Sequence, residues 1–92
     1  MNSYLVCYDI SDDRERARVF RLLKKHGQSV QESVFELHRF SAARYQRLHA
    51  DLARIVSDPH SVRIYRLTQE AIADSRDLAG QPIARRPLFI IL

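Results

Sequence analysis

The chain has 92 residues, with 15 Lys and Arg against 11 Asp and Glu, a net charge of +4 and a pI near 9.7. This length suits one small domain whose modest core would gain from pairing with a second copy, so we expect a homo-oligomer. The single Cys7 excludes an internal disulfide, and no apolar run approaches the roughly 20 residues that span a bilayer. We therefore expect a cytoplasmic protein with no signal peptide and no membrane partner.

The basic excess bears on what the chain binds. Arginine supplies most of the positive charge and presents planar, bidentate donors to phosphate, which favours a polyanionic partner. A domain with an arginine-rich composition and no such partner explains the charge equally well, because net charge is only the first observation in identifying a nucleic-acid binder.

The first two elements are a strand and a basic helix. Residues 4–10 are apolar on both alternating faces apart from Asp9, as expected of a strand at the centre of a sheet. Ser11 is predicted to cap a helix over about residues 12–26, and Gly27 to end it. Four basic residues of this helix recur at spacings of four, three and four and share one face: Arg14, Arg18, Arg21 and Lys25. This basic stripe favours phosphate contact over an ordinary solvated surface.

The middle of the chain predicts extended structure and then a second helix. Residues 28–40 lose the helical period and form either one bent strand or two short strands joined near residues 31–33. Ser41 is predicted to cap a helix that runs to about Val56 with one apolar side. Residues 61–67 alternate well enough to be the next strand.

The remaining residues predict a short helix and an extra strand. Residues 68–79 could hold the helix, and Gly80 and Pro82 break it. The five apolar residues 88–92 would be an aggregation liability as a free edge strand. We therefore expect residues 80–92 to be a C-terminal extension that pairs with a sheet edge of the partner subunit.

The order of these elements predicts the fold class. Strand, helix, one or two strands, helix and strand is the order of an α+β ferredoxin-like two-layer sandwich, in which an antiparallel sheet carries two helices on one face. Residues 1–92 would form a single such domain with an extra C-terminal strand. Fold alone does not define function, because this architecture serves many activities.

Several motifs, in order along most of the chain, carry a family resemblance: Tyr4 to Asp13 (YLVCYDISDD), the spacing to Arg16, Arg18 and Val19, Gly27, Val30-Gln31, Ser33 to Glu36 (SVFE) and Ser61 to Tyr65 (SVRIY). Together they resemble the small CRISPR-associated spacer-acquisition protein. That family is a group of ferredoxin-like, metal-dependent endonucleases that partner the CRISPR integrase subunit. The match extends to about Leu67.

The resemblance implies a metal site at Asp9. Asp9 matches the family's metal-binding acid and is the expected catalytic residue, and in the family's homodimer the two copies face each other to hold one Mg²⁺. The chemistry is reasonable, because Mg²⁺ takes oxygen ligands and usually keeps several waters. The expected partners are a second copy of the chain, the integrase subunit, and DNA or RNA.

The resemblance also implies roles around Asp9. Arg16 and Arg18 match basic positions of the family, and with Arg14 and Arg21 they are the expected nucleic-acid-binding residues. Three further residues are candidates for support of the site: Tyr8, Ser11 and Phe35. Each has a simpler explanation, as a packed strand residue, a helix cap and a core aromatic respectively.

Two positions depart from the family pattern. Ser29 stands where members commonly carry an arginine, and Glu32 where they carry an aromatic residue. A missing cation and an added acid are expected to weaken phosphate binding. The four histidines show no zinc-ligand spacing, so no zinc is predicted: His26, His38, His49 and His60.

Three functions remain open from the sequence. The first is a Mg²⁺-dependent endonuclease of CRISPR adaptive antiviral immunity, acting in spacer acquisition. The second is a non-catalytic DNA-binding scaffold of the integrase complex, and it is compatible with the first. The third is a free-standing ribonuclease toxin of the virulence-associated type.

Overall fold

The computed structural model describes residues 1–83, where strands and helices follow in the predicted order. The elements, named in chain order, are β1 (Asn2–Tyr8), α1 (Asp13–Lys24), β2 (Gln28–Gln31), β3 (Val34–Phe40), α2 (Ala42–Ile55), β4 (Val62–Leu67) and α3 (Gln69–Asp74). A 3₁₀ turn, Pro59–Ser61, leads into β4. The short helix predicted after Leu67 is confirmed as α3.

The strands of residues 1–83 form one sheet in the order β2–β3–β1–β4, with every neighbouring pair antiparallel. β1 is central, because Leu5 pairs with Glu36 on one side and with Tyr65 on the other. α1 and α2 each bury apolar side chains in the core that lies on one face of this sheet. The ferredoxin-like α+β prediction is therefore confirmed.

Alternation along β1 decides which side of the sheet carries this core. Tyr4, Val6 and Tyr8 are buried, whereas the residues between them are only half-buried. The ring of Tyr4 stacks on Tyr45 at 4.5 Å and meets Phe40 edge-on at 6.3 Å. Tyr4 thereby joins the end of β3 and the first turns of α2 to the central strand.

The helix termini agree with the sequence at α2 and differ at α1. The Ser41 hydroxyl accepts a hydrogen bond from the Arg44 N–H at 3.1 Å, so the predicted cap of α2 is confirmed. Ser11 does not cap α1; the prediction was wrong by one residue. The carboxylate of Asp12 takes that position and accepts from the Glu15 N–H at 2.9 Å, since Asp caps a helix as well as Ser does.

The extended segment after α1 is a hairpin and not one bent strand. β2 and β3 pair antiparallel, with Gln31 opposite Val34, and Glu32 and Ser33 form the turn between them. The sequence left both alternatives open because this turn lacks the Asn-Gly or Asp-Gly signal of a tight hairpin.

The other face of the sheet, which we call the open sheet face, is only partly covered within residues 1–83. Pairing in register places Leu5, Glu36 and Tyr65 on it, and Tyr65 is 46% exposed. Glu36 is 8% exposed, and its carboxylate lies 3.3 Å from Nε2 of His38. Cys7 is half-buried on this face.

The predicted extra strand, residues 88–92, lies outside the described residues. The pairing of residues 80–92 with a partner subunit, and the extent of the single domain, therefore stay predictions. No helix within residues 1–83 combines the length and apolar character needed to cross a membrane.

Candidate active site at the end of the central strand

A surface cavity of about 640 Å³ opens where β1 ends, and we call it the Asp9 cavity. Its walls come from the end of β1, one side of α1 and the β2–β3 turn. The lining residues are Tyr8, Asp9, Ile10, Asp13, Arg16, Ala17, Phe20, Arg21, Glu32 and Ser33. Acidic and basic groups thus meet at one end of the sheet.

Asp9 is held by its backbone and leaves its side chain available. Its N–H donates to the Ser61 carbonyl at 2.9 Å, just before β4, while the Tyr8 N–H donates to the Ser33 carbonyl at 3.1 Å. The Asp9 residue is exposed, and within residues 1–83 its carboxylate forms no hydrogen bond or ion pair. Its oxygens can therefore accept a cation, a water or a phosphate-bound proton.

Tyr8 belongs to the core and also to the cavity wall. It is 6% exposed, its ring stacks on Phe35 at 6.4 Å, and its hydroxyl donates to the Glu32 carbonyl at 3.4 Å. Burial raises the pKa of the Tyr8 hydroxyl, while Arg16 lowers it and Glu32 raises it. The phenol is therefore a neutral donor at pH 7 and does not act as a base.

The arginines of α1 differ in where they lie. Arg16 and Arg21 line the cavity, whereas Arg14 and Arg18 are exposed on the helix outside it. Within residues 1–83 the side chains of Arg14, Arg18 and Arg21 form no hydrogen bond or ion pair. The basic stripe therefore borders the Asp9 cavity through Arg21 and runs away from it along the helix.

Arg16 is engaged with the chain itself. Its Nη1 donates to the carbonyls of Ile10 at 3.0 Å and Ser11 at 3.4 Å, and its Nη2 pairs with the Asp13 carboxylate at 2.5 Å. Sequence reasoning missed these contacts, although an Asp three residues before an Arg on a helix predicts such a pair.

Two of the support candidates lie outside the cavity wall. Ser11 is exposed and contributes its carbonyl to Arg16. Phe35 is fully buried and packs against Tyr8 and, at 5.4 Å, against Phe20. Phe35 therefore supports the cavity only from beneath, through two rings that line it.

The two departures from the family pattern differ in their relation to the site. Glu32 lines the Asp9 cavity from the β2–β3 turn, so its charge lies in the same cavity as Asp9, Arg16 and Arg21. Ser29 lies on β2, and its hydroxyl donates to the Gln31 carbonyl at 3.0 Å. Glu32 is thus the departure that changes the electrostatics of the cavity.

The described residues of one chain supply an incomplete metal site. Within residues 1–83 no group of three or more His, Cys, Asp or Glu side chains could hold a metal ion. The unpaired carboxylate of Asp9 still fits Mg²⁺, because this ion is commonly bound by one or two carboxylates and several waters. The donor set therefore fits a hydrated ion, or an ion shared with a second copy of the chain.

Comparison with known proteins identifies the family. A sequence model of the family described as CRISPR associated protein Cas2 matches residues 1–74. The chain belongs to the Cas2 family. The match covers the sheet, both long helices and the Asp9 cavity, which supports a CRISPR protein over a free-standing toxin.

Individual relatives agree with this Cas2 assignment. Two Synechocystis proteins, each named CRISPR-associated endoribonuclease Cas2, are similar over nearly the whole chain. One is 36% identical over 85 residues, covering 91% of this chain and 90% of the relative. The other is 31% identical over 93 residues and covers 100% of both chains.

A solved structure shares the fold at the same level of identity. A chain from a partial Cas6-RT-Cas1–Cas2 complex superposes with a TM-score of 0.85 at 36% identity, covering 94% of this chain and 100% of that one. The ferredoxin-like sandwich is therefore shared with a Cas2-family structure that was solved together with Cas1.

Proposed function

We propose that this Cas2-family protein acts in CRISPR spacer acquisition as a homodimer bound to a Cas1 integrase subunit. We further propose that it has Mg²⁺-dependent endonuclease activity on RNA or DNA. The observation that carries the endonuclease proposal is the unpaired, exposed carboxylate of Asp9 in a cavity beside an arginine-rich helix. The relatives named endoribonucleases support it.

The metal would be held by Asp9. Mg²⁺ bound there would polarise a phosphoryl oxygen and lower the pKa of an attacking water. Arg21 lies in the same cavity and has no ion-pair partner within residues 1–83, so it is the cation best placed to meet a phosphate. Tyr8 offers a neutral hydroxyl at the cavity wall, since burial raises its pKa.

The homodimer proposal is supported by the small number of metal ligands that one chain supplies. One carboxylate is a sparse ligand set, and a twofold axis that brings two copies of Asp9 together would double it. The open sheet face supplies a surface for such pairing, because Tyr65 is 46% exposed there and Leu5 is half-buried. The Cas1 partner is supported by the solved complex with the similar chain, which contains Cas1 and Cas2 proteins.

The endonuclease proposal is tested by the substitution Asp9→Asn. Asp74→Asn removes the same charge from an exposed residue at the end of α3 and is the matched control. Labelled RNA and DNA oligonucleotides are incubated with and without Mg²⁺. We expect Asp9→Asn to reduce Mg²⁺-dependent cleavage on the order of 10²-fold or more, as for removal of a group that stabilises the transition state, and Asp74→Asn to cleave normally.

Each part of the proposal has its own refuting result. Cleavage by Asp9→Asn at the wild-type rate would exclude Asp9 as the catalytic residue. A wild-type protein that cleaves nothing in Mg²⁺ would exclude the endonuclease. Light scattering that gives the mass of one chain, with and without Mg²⁺, would exclude the homodimer.

A second function, as a DNA-binding scaffold, is favoured by a different observation. Arg14 and Arg18 are exposed and unpaired within residues 1–83, and both lie outside the Asp9 cavity, where they could hold nucleic acid without contacting the phosphate at Asp9. If the scaffold is the biological role, Asp9→Asn keeps spacer acquisition, whereas Arg14→Gln with Arg18→Gln loses it. Loss of acquisition in Asp9→Asn alone would contradict the scaffold.

A further inference from the structure

We infer that Arg16 is a positioning residue for the loop that carries Asp9, and that it is not one of the phosphate contacts. The loop is residues 9–12, between β1 and α1, and we call it the Asp9 loop. This inference rests on the proposed function for its consequence in catalysis, but the contacts that carry it are independent of any substrate.

The Asp9 loop has no regular secondary structure between the end of β1 at Tyr8 and the start of α1 at Asp13. Its first residue is anchored by the Asp9 N–H, which donates to the Ser61 carbonyl at 2.9 Å. The next two carbonyls, of Ile10 and Ser11, both accept from Nη1 of Arg16. The guanidinium of Arg16 thus binds the backbone of the two residues that come directly after Asp9.

The same guanidinium has its charge balanced locally. Its Nη2 pairs with the Asp13 carboxylate at 2.5 Å, so both terminal nitrogens are committed to the chain. A phosphate that approached both terminal nitrogens would have to compete with this charge-assisted hydrogen bond and with the two carbonyls. A cation already paired in this way also releases few counterions when nucleic acid binds, so it contributes little to the salt dependence of affinity.

Arg18 provides a natural contrast two residues further along α1. It is exposed, it belongs to the basic stripe, and its side chain has no hydrogen bond or ion pair within residues 1–83. The two arginines share a residue type, a helix and a net charge. They differ in whether the guanidinium is already occupied, which makes Arg18 the matched comparison for Arg16.

The expected effects of the two substitutions separate cleanly. Without Arg16 the backbone that follows Asp9 loses two hydrogen bonds, and a misplacement of the carboxylate by about 1 Å can lower a rate on the order of 10²-fold. Arg16→Gln should therefore lower kcat about 10- to 100-fold with little change in KM. Arg18→Gln should raise KM and reduce the slope of log affinity against log salt by about 1, as for loss of one phosphate contact.

Arg16→Lys tests charge against shape. Lysine keeps the positive charge but cannot reproduce a planar guanidinium that reaches two carbonyls and a carboxylate together. A phosphate contact would be largely rescued by lysine, whereas a positioning residue would not. The variant also covers the case in which Arg16→Gln does not fold.

The experiment combines kinetics with two measurements that need no activity. Cleavage of a labelled oligonucleotide in Mg²⁺ gives kcat and KM. Anisotropy of the same oligonucleotide at several salt concentrations gives the slope of log affinity against log salt. Amide hydrogen exchange of Asp9 reports how often the start of the Asp9 loop opens, because the Asp9 N–H donates to the Ser61 carbonyl. We expect the Arg16 variants to lower kcat and speed Asp9 exchange with an unchanged slope.

The outcomes distinguish this inference from the proposed function. If the wild type does not cleave, the endonuclease fails, and the slope together with Asp9 exchange still decides the role of Arg16. A slope that falls by about 1 in Arg16→Gln, as in Arg18→Gln, overturns the inference. Full recovery of kcat in Arg16→Lys, or Asp9 exchange unchanged in both Arg16 variants, overturns it as well.

Discussion

The substitution Gly27→Ala tests how closely α1 is joined to the sheet. A Cβ on Gly27 would lie 2.3 Å from the Glu36 carbonyl oxygen and 2.5 Å from Cδ2 of Leu37. The first of these atoms is backbone in β3, where Glu36 pairs with both Leu5 and Gln28. It cannot move aside without disturbing the strand next to the centre of the sheet.

The magnitude follows from the size of the overlap. Ordinary contact of a Cβ begins near 3.4 Å, so residue 27 and the backbone of strand β3 must move apart by about 1 Å. Inserting one methylene into a packed region costs roughly 1–3 kcal/mol, and more when backbone must shift. We expect about 3 kcal/mol of lost stability, which corresponds to roughly 12–24 °C in Tm for a domain of this size.

Gly80→Ala is the matched control. Gly80 has a φ of +87° and no atom within 4 Å of an added Cβ, so alanine there meets conformational strain alone. A left-handed conformation costs an L-residue roughly 1–2 kcal/mol. Gly80→Ala should therefore cost less stability than Gly27→Ala. Its loss of roughly 1–2 kcal/mol lowers Tm by about 4–8 °C for each kcal/mol.

Urea unfolding followed by circular dichroism, at one protein concentration for all variants, measures both effects. A Gly27→Ala protein within about 0.5 kcal/mol of the wild type, the range of neutral surface substitutions, would refute the close approach of residue 27 and β3. A Gly80→Ala protein that loses as much stability as Gly27→Ala would show that glycine's backbone freedom, and not the steric contact, decides both positions.

Two further predictions concern charge. Glu32→Gln removes the acid from the Asp9 cavity and should tighten oligonucleotide binding about 2- to 5-fold at low salt, less at high salt; equal tightening by Glu70→Gln, on α3, would contradict a local effect. Burial and then Arg44 lower the pKa of His26 below 6.5, so the unfolded chain binds more protons and stability should fall as pH drops from 6.5. In urea titrations His26→Asn should reduce that fall, and an unchanged pH profile in His26→Asn would refute the assignment of the fall to His26.

Much of the fold was predictable because the signals are local. The apolar run of β1, the Ser41 cap and the helical spacing of α2 each depend on residues a few positions apart, and all three were confirmed. The order of elements then predicted the ferredoxin-like sheet. The hairpin was left open because the Glu32–Ser33 turn carries no strong turn signal.

The candidate site was predictable only in part. Asp9 stood out as the one charged residue at the end of an apolar strand, and the structure puts it at a cavity with Arg16 and Arg21. From the sequence, all four arginines of α1 were predicted to bind nucleic acid: Arg14, Arg16, Arg18 and Arg21. Helical spacing placed Arg18 on the basic stripe and left Arg16 off it, but spacing gives only the face of a side chain and not the carbonyls that Arg16 reaches.

The sequence by itself determined the order of the elements, the position of Asp9 and the basic stripe, since each is written in neighbouring residues. Only the tertiary structure decided which atoms meet across the chain. The sequence predicted Gly27 only as the end of a helix. Position 27 requires glycine because the Glu36 carbonyl, nine positions away in the chain, leaves no room for a Cβ. Such contacts exist only once the sheet has assembled, because pairing and packing bring together groups whose proximity no local pattern records.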